Sequence, residues 1–246
     1  MPRIINFVNK HDAVIAPSSG IKRELRSFGV TRPIEIIPTG IDVQKTNSLA
    51  NAKNPKEILK KYNLANVDKL IISTGRLDKE KNLEFLLATM PLVFQKQPLA
   101  HLLIVGDGGW KQKLEEKVGQ LGLEKNITFM GFMKHEDIFP IYKIAKVFIF
   151  SSLTETQGLA PLEAMAVGLP VVALKATGIE DLITDNQGGF MIEQPNTDEF
   201  AQAIIKLLED RALYKVKSEE ARRRADNFSI EKTTQALIDL YKNTNQ

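Results

Sequence analysis

Six short apolar runs, separated by segments of helical length, constrain the fold of this 246-residue chain more than any other feature. The run Leu70 to Thr74 is continuous rather than alternating, which is typical of a strand in a parallel sheet covered on both faces. The segment Asn82 to Gln97 instead places its apolar residues on one helical face. The six runs contain Leu70, Leu102, Ile127, Val147, Val171 and Phe190. This alternation predicts the α/β class, with a doubly wound parallel sheet.

Doubly wound sheets bind their ligands at the carboxyl ends of the strands. In this chain the residues at those ends are Arg76, Gly106, Gly131 and Glu155. We therefore expect a ligand site where these four positions meet.

The stretch Ser151 to Pro170, SSLTETQGLAPLEAMAVGLP, indicates what that ligand carries. It follows the predicted strand Val147 to Phe150, and Pro161 is expected to open a helix that Gly168 and Pro170 close. A strand that turns into a helix through a glycine presents free backbone N–H groups at a positive dipole end, which suits a phosphate. The expected donors are the N–H groups of Gln157, Gly158, Leu159 and Ala160.

Two carboxylates, Glu155 and Glu163, flank this predicted phosphate site. Like charges repel, so neither should touch a phosphate, whereas a carboxylate readily accepts hydrogen bonds from sugar hydroxyls. The pair therefore suits a nucleoside diphosphate sugar, which has a sugar on each side of its phosphates. Taken singly, each carboxylate also has a structural explanation. Glu163 falls near the third helical position, where the helix dipole stabilises it, and Glu155 is explained equally well as a loop charge.

The segment Glu155 to Glu163 resembles the Glu, seven residues, Glu signature of the retaining GT-B glycosyltransferases of the group 1 family, and LEAMAVGLPVV extends the resemblance. Thr156-Gln157 stands where the family more often has Gly-Phe or Ser-Phe. That variant is similar to the bacterial glucosyltransferases that act on diacylglycerol. The resemblance implies the Rossmann-like C-terminal half of a GT-B fold, in which Glu155 holds hydroxyls of the donor sugar and Glu163 holds the ribose diol.

The loop Gly75 to Lys81 follows a predicted strand and is rich in charge. An Arg and a Lys at such a place suit a diphosphate, although a solvated loop explains the same charges. The family has Gly-Arg, four residues, Lys here. The resemblance therefore assigns Arg76 and Lys81 to the diphosphate, as residues that contribute to catalysis with Glu155, and leaves Lys79 on the surface.

Two further glycine-bearing strand ends belong to the predicted site. Gly106, Gly108 and Gly109 do not form a dinucleotide fingerprint, because that pattern needs a glycine where Lys111 stands. The resemblance implies instead a turn that shapes the floor of the cleft. It also implies that backbone groups at the end of the predicted strand Asn126 to Met133 hold the base, at Gly131, Phe132 and Met133.

The resemblance divides the chain into two parts. It assigns residues 1–42 to the end of an N-terminal domain and a hinge, with PTGID at Pro38 to Asp42 as the hinge turn, and residues 43–246 to a nucleotide-sugar-binding domain with C-terminal helices. On the residues alone, the opening is a first βα unit. We expect the acceptor-binding N-terminal domain to be missing, in a piece of a longer enzyme or a naturally short protein. The last helix, with Leu237 and Leu240, should face that domain or pack on Ile4 to Val8.

The composition narrows the choice of function class. There is no cysteine, which excludes disulfides and thiolate chemistry, and the formal charge of +3 is too small to argue for a nucleic-acid partner. No apolar stretch approaches the roughly 20 residues of a membrane span, and the opening lacks a signal-peptide core. We expect a cytoplasmic protein, peripheral to the membrane where the acceptor is a lipid. The cluster Arg222 to Arg224 is most simply a solvated helix face.

The leading prediction is the donor half of a hexosyltransferase that binds a nucleotide sugar, a UDP-hexose by preference, for transfer with retention. No Asp-x-Asp occurs, so we expect a metal-independent site and no cofactor. Alone, the chain should bind donor but transfer it poorly. One alternative is a non-catalytic nucleotide-sugar module that works with a separate subunit. Another is a different GT-B chemistry, a phosphorylase or a sugar-nucleotide epimerase.

Overall fold

The computed structural model describes residues 2–244, and its centre is a six-stranded sheet in which every neighbouring pair is parallel. The strands are β3 (Lys69–Thr74), β4 (Ala100–Val105), β5 (Ile127–Gly131), β6 (Val147–Phe150), β7 (Val171–Leu174) and β8 (Gly189–Ile192). Their order is β5-β4-β3-β6-β7-β8. The chain therefore moves outward from β3 in one direction and, after β6, in the other. All six predicted strands are confirmed, as is the doubly wound class.

Helices cover both faces of this sheet, and the strand side chains alternate between them. In β3, Leu70 and Ile72 pack into one core and Ile71 into the other. One layer contains α5 (Leu83–Lys96), α6 (Lys111–Leu121) and α9 (Thr197–Glu209). The other contains α3 (Val43–Ala52), α4 (Pro55–Lys60), α7 (His135–Ile144), α8 (Leu159–Ala166) and α10 (Arg211–Asp226). Burial on both faces explains why the strand sequences are continuous apolar runs.

A smaller parallel pair precedes this sheet and has its own apolar cluster. Strands β1 (Val14–Ala16) and β2 (Ile34–Ile36) flank helix α2 (Ser19–Ser27), which Ser18 caps by accepting from the backbone N–H of Ile21. The cluster centres on Ala16, Val30 and Ile34. Residues 14–36 thus form one βαβ unit, as expected on the residues alone, while the division at residue 42 stays a prediction.

The two terminal helices, α1 (Pro2–Val8) and α11 (Ile230–Thr244), contact different parts of the opening segment. Ile5 and Val8 of α1 pack against the cluster of Ala16, Val30 and Ile34. Helix α11 begins beside the predicted hinge, where the backbone N–H of Ile230 donates to the carbonyl of Ile41. Leu237 and Leu240 are half-buried. Within residues 2–244, every helix falls short of the length and apolarity that crossing a bilayer requires.

Three details differ from the sequence-based expectations. Helix α3 was not predicted, because its apolar face is weak and is stabilised by packing against α7 and α8. Helix α8 begins at Leu159 rather than at Pro161, since the third helical position tolerates a residue without an N–H group. The arginine cluster is more than a solvated helix face, because exposed Arg222 donates to the carbonyl of Val167 and half-buried Arg224 donates to the carbonyls of Asp181 and Leu182.

Candidate functional site

The candidate site lies at the carboxyl ends of the strands, where β3 and β6 are neighbours and their following connections diverge. Three glycines form its floor. The N–H of Gly75 donates to Val105, and the N–H of Gly106 donates to the carbonyl of Gly131. A Cβ atom on Gly106 would lie 1.8 Å from the carbonyl oxygen of Gly75. Only glycine allows the ends of β3 and β4 to approach so closely. Because these positions carry no side chains, the space above them stays open.

A cavity of about 690 Å³ opens above this floor and brings the predicted cations and the first carboxylate together. Arg76, Lys81 and Glu155 all line it. The Nζ atom of Lys81 donates to Oε1 of Glu155 over 2.5 Å, and both side chains are mostly buried. The hydroxyl of Ser151 donates to the carbonyl of Lys81 over 2.8 Å. Since Ser151 directly follows β6, this bond docks the Lys81 loop onto the neighbouring strand end.

Arg76 is held differently from Lys81. Its side chain is 70% exposed, and its two terminal nitrogens lie 2.8 Å from Asp78 and 2.8 Å from Glu80. Both predicted diphosphate ligands are therefore already paired with carboxylates of the same chain. Each cation keeps further N–H donors, so an anion that enters the cavity can bind beside those carboxylates or in their place.

The start of α8 supplies the uncharged part of the cavity wall. Gly158 precedes the helix with φ of +77°, a left-handed conformation that side chains disfavour. In the part of the chain that the structure describes, no acceptor takes the backbone N–H of Leu159 or Ala160. Both residues line the 690 Å³ cavity, together with Gln157 and Gly158. The predicted N–H donors thus lie in the same cavity as the cations.

A second cavity, of about 330 Å³, contains the other carboxylate. Glu163, Phe132 and Met133 line it, and it shares Thr74, Gly75, Arg76 and Ala160 with the first cavity. We call the two together the joined cleft. Glu155 thus lies in one cavity of the joined cleft and Glu163 in the other, while Arg76 lines both and Lys81 lines only the first. Glu163 is the fifth residue of α8, so the expectation that it lies near the third position was wrong.

His135 holds Glu163 in the second cavity. Its Nε2 atom lies 2.8 Å from Oε1 of Glu163, whose side chain is 20% exposed. Burial raises the pKa of Glu163, and the hydrogen bond and charge of His135 oppose that rise. Behind this pair, the hydroxyls of Thr74 and Tyr142 lie 2.6 Å apart, and burial raises the pKa of Tyr142.

The residues predicted to hold a base occupy two different environments. Phe132 is 81% exposed at the mouth of the second cavity, next to Met133. The carbonyl of Gly131 is already bonded to the N–H of Gly106. One lone pair of that carbonyl is thus in use, and the assignment of a base to Gly131, Phe132 and Met133 stays a prediction.

Gln157 has a role that its backbone prediction did not include. Its buried amide group accepts from the N–H of Thr39 and donates to the carbonyl of Thr39, each over 2.7 Å. This two-point contact joins the helix-opening loop to the predicted hinge turn. The replacement of Gly-Phe or Ser-Phe by Thr156-Gln157 was the one sequence signal at this position. No comparable sequence signal marked four other residues of the site, because each lies far along the chain from its partner. They are His135, Thr74, Tyr142 and Ser151.

Comparison with known proteins identifies the family of this chain. The family model "Glycosyl transferases group 1" matches residues 54–224, and the model "Glycosyltransferase Family 4" matches residues 2–45. An alpha-monoglucosyldiacylglycerol synthase of Streptococcus pneumoniae is 30% identical over 82% of this chain and 46% of its own length. An uncharacterized glycosyltransferase of Haemophilus influenzae is 31% identical over 76% of this chain and 53% of its own length. The chain thus spans about half the length of these curated relatives.

Solved structures share the fold. The crystal structure of Anabaena HepE in complex with UDP and glucose superposes with a TM-score of 0.85 at 23% identity, over 98% of this chain and 66% of that one. A glycosyltransferase from Rickettsia africae superposes with a TM-score of 0.84 at 22% identity, over the whole of this chain and 68% of that one. At this level of identity the match establishes a common α/β architecture with GT-B structures.

Proposed function

Because this chain belongs to the glycosyl transferases of group 1, we propose that it binds a nucleoside diphosphate sugar in the joined cleft and presents the sugar for transfer to an acceptor. The observation that carries the proposal is the order of charges along the cleft. Glu155 lines one compartment, Glu163 lines the other, and Arg76 is common to both. A ligand with hydroxyls at both ends and negative charge between them complements that order.

Each part of the donor then has a partner. The ribose diol donates to Glu163, the hydroxyls of the transferred sugar donate to Glu155, and the diphosphate accepts from Arg76, Lys81 and the free N–H groups of α8. Phe132 and Met133 contact the base. Uracil and a hexose are the base and sugar we propose, supported by the UDP and glucose bound to the similar HepE structure.

Donor binding should change the partners of Lys81. In the free protein its ammonium group is bonded to Glu155. A bound diphosphate attracts that ammonium group, and the sugar hydroxyls replace it on Glu155. The carboxylate that positions the sugar therefore becomes available when the diphosphate arrives.

The catalytic contribution of these residues is electrostatic. As the bond between the sugar and the diphosphate breaks, negative charge grows on the leaving phosphate. Arg76, Lys81 and the N–H groups of Leu159 and Ala160 stabilise that charge where it develops. We propose that transfer retains the anomeric configuration and needs no metal ion, as for the retaining GT-B enzymes that the sequence resembles.

The acceptor remains outside these residues in our proposal. Longer relatives such as the Streptococcus pneumoniae alpha-monoglucosyldiacylglycerol synthase support a lipid acceptor, bound by a further domain. This chain alone should then release UDP from UDP-glucose slowly, with or without diacylglycerol. Rapid glucosyl transfer to diacylglycerol by the isolated chain would contradict that division of labour.

Calorimetric titration tests donor binding directly. We expect UDP and UDP-glucose to bind and GDP-mannose to bind more weakly. The change Glu163→Gln should lower the affinity for both uridine ligands by about tenfold or more, because charge-assisted hydrogen bonds are lost. The matched control is Glu219→Gln, an exposed glutamate on α10, which should leave all three affinities unchanged. If none of the three ligands binds the folded wild-type chain, the proposed function is wrong for this chain.

A further inference from the structure

We propose that His135 is a positioning residue for the nucleoside. It holds the Glu163 carboxylate so that this carboxylate selects a ribose over a sugar without the 2′ and 3′ hydroxyls. This inference rests on the proposed function and deepens it. The sequence resemblance assigned no role to His135, and its contact with Glu163 exists only because α7 and α8 pack side by side.

The geometry leaves one carboxylate oxygen for a ligand. His135 is bonded to Oε1 of Glu163, and no other hydrogen bond or ion pair to Glu163 is present within residues 2–244. Glu163 lines the second cavity, so Oε2 is the oxygen that remains available there. A mostly buried carboxylate with a single fixed partner has a defined orientation and an unused acceptor, which a pair of vicinal hydroxyls can satisfy.

The imidazole ring is itself held in place. It packs edge-to-face against Phe139, with ring centroids 4.9 Å apart and an interplanar angle of 80°. Phe139 is buried in the core beneath α7, and His135 is the first residue of that helix. The side chain is 65% exposed, so this ring contact and the bond to Glu163 are the two described contacts that orient Nε2.

The alternative partners for Glu163 in this cavity are already occupied. The guanidinium of Arg76 is paired with Asp78 and Glu80, and the hydroxyl of Tyr142 is bonded to Thr74. Loss of His135 would remove the one hydrogen-bond donor that contacts Glu163 within residues 2–244. A buried carboxylate without a donor reorients or takes up a proton, and either change removes the acceptor that the ribose needs.

The test compares UDP with 2′,3′-dideoxyUDP, since the two differ only in the hydroxyls that Glu163 would bind. We expect the wild type to prefer UDP by about 30-fold, a range typical of hydrogen bonds to a charged group. The change His135→Leu, which keeps an apolar contact with Phe139, should reduce that preference to about threefold by weakening UDP while dideoxyUDP binding stays constant. The change His135→Gln should restore most of the preference, because its amide N–H can donate to Glu163.

A purely structural histidine and a positioning histidine give different results in this comparison. In a Glu163→Gln background, His135→Leu should have no further effect on the preference, because the two residues act as one unit. Equal weakening of UDP and dideoxyUDP by His135→Leu would mean direct ligand contact or local misfolding, and would overturn the proposal. An unchanged preference in His135→Leu would overturn it as well. Failure of wild-type chain to bind UDP at all would instead count against the proposed function.

Discussion

The two ends of the parallel strands, which form the amino-terminal and carboxyl edges of the six-stranded sheet, both carry polar groups. These groups are bonded in different ways at the two edges. At the amino-terminal edge a buried amide group links two charged groups. Gln97, which is 6% exposed, accepts from Lys69 and donates to Glu209, each over 2.5 Å. At the carboxyl edge, Glu155 and Glu163 each have a single partner and line a cavity.

This difference distinguishes polar groups that support the fold from polar groups that are available to a ligand. The groups around Gln97 join the start of β3 to the ends of α5 and α9, and none of them lines either cavity of the joined cleft. The groups at the other edge keep acceptors and N–H donors that nothing else in the described chain uses. Buried polarity alone therefore does not identify a ligand site, whereas incomplete hydrogen bonding beside a cavity does.

The largest effect should come from Lys81. The change Lys81→Met removes a cation from the diphosphate and leaves Glu155 without its partner, so UDP affinity should fall about 100-fold. Calorimetry with UDP measures this loss. The control is Lys79→Met, in the same short turn but exposed. Equal losses in the two variants would mean that only the net charge of the loop matters.

At the opposite edge, a change should affect stability and leave binding alone. Gln97→Leu keeps the size of the side chain but deprives Lys69 and Glu209 of their shared partner. We expect urea denaturation to show a loss of about 2 kcal/mol in the free energy of unfolding. UDP affinity at a temperature where the variant is folded should equal that of the wild type. A fall in affinity would show that the two edges are coupled.

Glu155 and Glu163 should separate the two ends of the donor. The change Glu155→Gln releases Lys81 for the diphosphate, so UDP should bind as well as before or better. UDP-glucose should lose about tenfold of its affinity relative to UDP, because the sugar hydroxyls lose a charged acceptor. Glu163→Gln should weaken both ligands equally. If titrations of the two variants give the reverse pattern, Glu155 binds the ribose and Glu163 binds the transferred sugar.

The smallest effect concerns His101, at the amino-terminal edge. Burial lowers its pKa from 6.5 to about 4, while its Nε2 atom stays 2.8 Å from the hydroxyl of Thr128. Between these pH values the unfolded chain binds a proton that the folded chain does not, so stability falls as the pH drops from 7 towards 4. Allowing for solvent that still reaches the ring, we expect about 1 kcal/mol from this group.

Urea denaturation at several pH values measures this dependence. His101→Gln has no group that titrates in this range, so its stability should decline less over the same interval. A parallel decline in the two proteins would assign the pH dependence to other groups. UDP-glucose binding should not differ between them, because His101 lies at the far edge from the joined cleft.

The sequence predicted those features that depend on neighbours along the chain. The continuous apolar run of β3 is such a pattern, and the predicted strand is confirmed. The capping of α2 by Ser18 depends on the same kind of local chemistry. Local patterns did not predict the exact start of α8, where Gly158 allows the helix to begin before Pro161. Helix α3 escaped prediction because tertiary packing, more than its own pattern, stabilises it.

What the sequence by itself determined was the doubly wound parallel sheet and the edge of that sheet at which Arg76, Lys81 and the two glutamates gather. The contacts among these residues were decided by the tertiary structure. Lys81 meets Glu155 because β3 and β6 are neighbours, and His135 meets Glu163 because α7 and α8 cover the same face. The physical reason is that apolar periodicity specifies which residues are buried, whereas the order of the strands and the packing of the helices specify which buried residues meet.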